Sequence, residues 1–105
     1  MDSKYTVNIL ASAEADLHNI YKYITQSLFA DKTAIDIITQ LKNNIFSLDI
    51  MPSRYSLVND SFLAKKGYRR IVVKNYVVLY LIDESVRTVN ISRIFHGSMN
   101  YAKYI

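Results

Sequence analysis

Residues 67–97 read GYRRIVVKNYVVLYLIDESVRTVNISRIFHG, and this stretch decides the fold. It contains three runs rich in β-branched and aromatic residues: Tyr68 to Lys74, Tyr76 to Ile82 and Arg87 to Phe95. Such side chains fit a pleated surface, and the breaks at Asn75 and at Asp83-Glu84-Ser85 are short enough for hairpins. The reading is an antiparallel meander of three strands. In its middle run Tyr76, Val78 and Tyr80 lie on one side and Val77, Leu79 and Leu81 on the other. Both sides are apolar, so alternation leaves open which one faces outward.

Upstream, Pro52 to Gly67 shows no sustained period and is read as a long loop with a turn at Asn59-Asp60. Before it, Ala34, Ile37, Ile38, Leu41, Ile45 and Leu48 recur at helical spacing behind a capping Asp31, and Pro52 stops the pattern. Leu17, Ile20, Tyr21, Ile24 and Leu28 form an earlier stripe, with Ser12 as expected N-cap and Glu14 and Asp16 favourably placed in the helix dipole. Tyr5, Val7 and Ile9 alternate with polar residues as a half-buried strand does. The short link Phe29 to Lys32 makes the two helices an antiparallel hairpin. The expected fold is therefore α+β, in the order β-α-α-β-β-β. An antiparallel sheet carries the N-terminal helical hairpin on one face and leaves the other uncovered for a partner.

A length of 105 residues leaves room for one domain spanning 1–105. Half the residues are apolar and only three are glycine or proline, which predicts a packed core rather than disorder. The chain has no cysteine, which removes disulfide and thiolate chemistry. It opens without a basic segment followed by an apolar one, and its longest apolar run, Tyr76 to Ile82, is far below the ~20 residues that span a bilayer. The expectation is a cytoplasmic protein with no membrane partner. A net charge of +4 and a pI near 9.3 suit an anionic partner, though many soluble domains carry as much charge for solubility alone.

Motifs for zinc proteases, phosphate-binding loops, dinucleotide folds and serine hydrolases are all absent. Neither His18 nor His96 has acidic neighbours at metal-ligand spacing, so neither a metal nor any other cofactor is expected. His18 reads as helix surface. His96 ends the last strand near Tyr101 and Tyr104, where an imidazole would serve as acid or base or, equally, bond to backbone. Lys65, Lys66, Arg69, Arg70 and Lys74 fall within ten residues, and Arg93 follows on the last strand. This basic set would neutralise phosphates or receive an acidic protein segment. Tyr76 and Tyr80 share one side of a strand and read as core packing.

Taken in order, Ser12-Ala13-Glu14-Ala15-Asp16-Leu17, Ile20-Tyr21-Lys22-Tyr23-Ile24, Leu48 to Pro52, Gly67-Tyr68-Arg69-Arg70, Asn75-Tyr76-Val77-Val78-Leu79-Tyr80 and Val89 to Gly97 resemble the RelE/ParE toxins across nearly the whole chain. The resemblance implies the toxin of a type II toxin–antitoxin pair, a growth inhibitor neutralised by a cognate antitoxin in a hetero-oligomer. It also implies one of two targets. ParE-like members block DNA gyrase without being nucleases, whereas RelE-like members cut messenger RNA on the ribosome.

In the RNA-cleaving branch the residue after the tyrosine that opens the third strand is usually an arginine that stabilises the phosphate. Here it is Val77. Of a basic pair two residues apart on the preceding strand, Arg70 matches one and Val72 takes the other place. A nuclease would be left with Arg70 and Arg93 for phosphate, His96 as acid or base and Tyr101 as the C-terminal aromatic, with no metal. Losing a positioned phosphate contact costs on the order of a hundredfold in rate, so the departures favour gyrase inhibition. In that reading Arg69, Arg70, Arg93 and the segment Gly97 to Ile105 contact the target.

Overall fold

The computed structural model describes residues 4–97. Tyr101, Tyr104 and the rest of the C-terminal segment after Gly97 lie outside the described residues. Strand β1 (Thr6–Ile9) runs into helix α1 (Ala11–Lys22), which continues as a π-helical turn (Tyr23–Ser27). Helix α2 (Asp31–Phe46) follows, then 3-10 turns at Ser47–Asp49 and Pro52–Arg54 and a short helix α3 (Ser61–Lys65). The meander closes the fold as β2 (Arg69–Val73), β3 (Tyr76–Asp83) and β4 (Thr88–His96). No described helix is long and apolar enough to cross a membrane.

The four strands lie in the order β1-β4-β3-β2. β2, β3 and β4 pair antiparallel as expected, but β1 joins β4 in parallel and makes the sheet mixed. The helical hairpin causes this: it carries the chain back across one face, so β1 and β2 run in the same direction at opposite edges. The hairpin face holds the main core, with Ala13, Leu17, Leu41, Ile45 and Leu48 against Ile71, Val73, Val78, Tyr80, Val89, Ile91 and Ile94. A bulge keeps both halves of β4 in that core. Leu79 pairs with Arg93 and Tyr80 with Ile91, leaving Ser92 as the additional residue, so Ile91 and Ile94 face the same side although three apart.

Three local expectations need correction. Neither Ser12 nor Asp31 caps its helix by a side-chain bond; α1 and α2 begin behind Leu10 and Ala30, and the Ser12 hydroxyl instead donates to the carbonyl of Ser92 at 2.6 Å. The segment 52–67 is not an unstructured loop. Asp60 accepts the backbone N–H of Leu63 at 2.9 Å and starts α3, and Gly67 ends it at φ +96° with Tyr68 N–H bonded to Leu63 and Gly67 N–H to Ala64. Finally, the outer face of the sheet is not uncovered. Val58 and Leu63 are too apolar to remain in water, and they pack on Val77, Leu79 and Phe95 to form a second cluster. The other half of that face, with the Asn8–Asn90 side-chain bond at 3.1 Å, is polar.

The link between α2 and the sheet is fastened by side chains reaching backbone carbonyls. Arg54 bonds the carbonyls of Ser47, Ile50 and Met51, and Arg69 those of Ser53 and Tyr55. The fully buried Tyr80 donates its hydroxyl to Pro52 O at 2.6 Å, and burial pushes its pKa up to about 12. An unfolded chain loses this proton near pH ~10 while the folded chain keeps it, so stability falls as pH rises from about 10 to about 12. Tyr80→Phe should remove that part of the slope, and at neutral pH it should cost about 1–2 kcal/mol by orphaning the Pro52 carbonyl. Denaturant titrations at pH 7 and pH 11 check both effects.

Candidate functional site

The basic residues are spread by the fold rather than gathered. Arg69 pairs with Tyr80 on the hairpin side, where its guanidinium is bonded to loop carbonyls and serves as an anchor. Lys74 sits in the β2–β3 turn at φ +55°. Lys65 ends α3, and Lys66 lies with its ammonium 4.5 Å from the ring centre of the exposed Phe62. Only Arg70 and Arg93 share a register row, across Leu79, on the face that also holds Val77 and Phe95. The Arg70 Nε is buried and has no hydrogen-bond partner among the described residues.

Arg93 is the most firmly placed cation. Its Nε donates to Asp16 Oδ2 at 2.8 Å and one terminal nitrogen to Oδ1 at 3.1 Å, and the guanidinium lies 4.7 Å from the ring centre of Phe95. The hydrogen bond to Asp16 raises the arginine pKa further. A two-pronged bond of this kind fixes direction as well as distance. Sequence reasoning assigned Asp16 only a dipole role, and no local pattern marks a partner on the far end of the chain.

His96 is exposed and pairs with Tyr76 on the hairpin side of the sheet, the two rings meeting edge-on at 5.6 Å. Burial raises the Tyr76 hydroxyl pKa. Two adjoining cavities of about 480 and 530 Å³ share Tyr23, Tyr76 and His96 and form a groove across this end of the molecule. Ile20, Ile94 and Phe95 make one stretch apolar, and Asp16, Asn19 and Arg93 edge it. Of the residues predicted for catalysis, the groove brings Arg93 and His96 together. Arg70 points to the outer face, and Tyr101 lies outside the described residues. Tyr23 and Asn19 were not singled out from sequence; the π-helical turn that begins at Tyr23 is invisible to a 3.6-residue pattern.

The architecture is thus a helical hairpin on a four-stranded mixed sheet, with one half-closed outer face and a groove walled by α1 and the end of β4. Among the solved structures that share it are two toxin–antitoxin systems. The toxin–antitoxin complex RelBE2 from Mycobacterium tuberculosis has a chain similar at 24% identity and a TM-score of 0.67, with 91% of this chain and 97% of that one covered. The chromosomal ParDE system from P. aeruginosa has one at 14% identity and a TM-score of 0.74, with 90% and 97% covered. At these identities the likeness is one of fold. No curated protein sequence matches. The family profile described as ParE toxin of type II toxin-antitoxin system, parDE, matches residues 7–101, and the chain belongs to that family.

Val77 marks where this site differs from an open basic surface. It is 6% exposed and packed with Val58, Leu63, Leu79 and Phe95. Val77→Arg would bury an unpaired charge, and the expected loss is about 3 kcal/mol or more. Thermal melts check this; an unchanged melting temperature would mean that α3 does not hold this face closed.

Proposed function

We propose that this toxin arrests growth by binding DNA gyrase in the cytoplasm, and that a cognate antitoxin neutralises it by binding the folded toxin. The burial of Val77 carries the reading. The position where RNA-cleaving members of the superfamily place a phosphate-binding arginine is here part of an apolar cluster under Val58 and Leu63. A buried valine offers no charge to a phosphate, and the remaining candidates are divided, with Arg70 on the outer face and His96 on the hairpin side. Arg70 and Arg93, with Lys65 at the end of α3 and Lys66 just after it, supply the cations of a binding surface, which requires no assembled acid–base pair.

The joint presence of Arg93 and His96 at one groove favours a second reading, metal-free cleavage of messenger RNA on the ribosome. There the ribose 2′-hydroxyl would attack the adjacent phosphate and displace the 5′-oxygen of the next nucleotide, leaving a 2′,3′-cyclic phosphate and a 5′-hydroxyl, with Arg93 holding the phosphate and His96 moving a proton. Purified toxin assayed for supercoiling and trapped cleavage complexes with gyrase, beside primer extension on translated messenger RNA, separates the two. The expected result is gyrase inhibition with intact transcripts. Cuts at codons without an effect on gyrase would overturn it.

A further inference from the structure

We infer that Asp16 is a positioning residue, which sets the direction in which Arg93 is presented to the target. The inference rests on the reading of Arg93 as a contact residue. β1 covers the outer edge of β4 only as far as the Ile9–Ile91 pair. Beyond it, Leu10 N–H donates to Ile91 O at 3.0 Å, the Ser12 hydroxyl to Ser92 O at 2.6 Å, and the Asp16 carboxylate accepts the Ile94 N–H at 2.8 Å. The first turns of α1 therefore continue the pairing that β1 began, and Asp16 is the last group in that series. The same Oδ2 that takes the Ile94 N–H takes the Arg93 Nε–H, and Oδ1 takes a terminal N–H.

One carboxylate thus ties the backbone of β4 and the guanidinium it carries to α1. The Asp16 side chain is 13% exposed and that of Arg93 27%, so water competes weakly on one side and leaves the cation reachable on the other. Five N–H groups in one plane make the guanidinium a directional ligand, and fixing two of them fixes the aim of the rest. A surface cation on a long flexible stem would have to be ordered on binding; this one is ordered beforehand.

Asp16→Asn removes the second prong alone. Its amide oxygen, placed at Oδ2, still accepts from Ile94 N–H and Arg93 Nε–H, but its NH2 group faces the terminal nitrogen of Arg93, donor against donor, so the bond that sets the direction of the fork is lost. Asp16→Asn, Arg93→Ala and the double variant would be compared for gyrase inhibition and for growth arrest on expression, with melting temperature and capture by the antitoxin as measures of folding. Asp16→Asn should weaken inhibition about tenfold while folding is retained, and the double variant should be no weaker than Arg93→Ala, since coupled residues are not additive. Full activity of Asp16→Asn, or losses that multiply, would overturn the proposal. If Asp16→Asn fails to fold, Arg93→Lys decides: it keeps the charge without the fork, and it should lose about tenfold; full activity would count against positioning. A wild-type toxin that arrests growth without touching gyrase would remove the gyrase reading alone, because the same comparison is then scored on growth arrest.

Discussion

The fold depends on how β4 is flanked. It is paired on both sides, to β3 along its length and to β1 over Thr88–Ile91, and both hydrophobic clusters contain its side chains. Its outer edge would be left with unmet backbone groups where β1 stops, and a half-paired edge is a place where sheets slip or aggregate. Leu10, Ser12 and Asp16 prevent this by turning a helix start into a surrogate strand. That constraint fixes where α1 lies, and α1 in turn walls the groove and holds Arg93. The bulge at Ser92 belongs to the same arrangement, since it brings Arg93 and Ile94 into register with Asp16 while Ile91 and Ile94 both stay in the core.

The two faces of the sheet have different uses. On the hairpin side an uninterrupted core leaves only its end open, as the groove where Tyr23, Tyr76 and His96 meet. On the outer side α3 closes the apolar half, and the cations Arg70 and Arg93 flank Leu79 at its border. A chemical mechanism needs acid, base and phosphate holder within bond reach of one scissile group, whereas a binding surface tolerates groups ranged along a border. The partition of Arg70 from His96 adds to the burial of Val77 as physical ground for preferring a binding role.

Much of this was legible in sequence because it rests on local periods. The stripe from Ala34 to Leu48 gives α2, alternation gives β1, and the hairpin breaks at Asn75 and Asp83-Glu84-Ser85 give the meander, since each signal is contained within one element. Tertiary facts were not legible. The parallel direction of β1 follows from the crossover, the bulge at Ser92 from register, and the Asp16–Arg93 pair from contact between residues 77 positions apart. The segment 52–67 misled because its apolar residues cover a face of the sheet, Leu63 from a helix too short to show a period and Val58 from the stretch before it. Asp60 ahead of Ser61-Phe62-Leu63 was a capping signal that reads equally well as a turn. The basic run from Lys65 to Lys74 looked like one patch because sequence proximity ignores the alternation that sends Arg69 and Arg70 to opposite faces.

If the toxin works by binding rather than by proton transfer, the one exposed imidazole at the groove is dispensable. Growth arrest by His96→Ala, expressed without antitoxin and compared with the wild type at equal protein level, tests this most directly. Arrest of undiminished strength is the result expected of a gyrase-binding toxin. A His96→Ala protein that still folds and captures the antitoxin but no longer arrests growth would contradict it and point to acid–base chemistry at the end of β4.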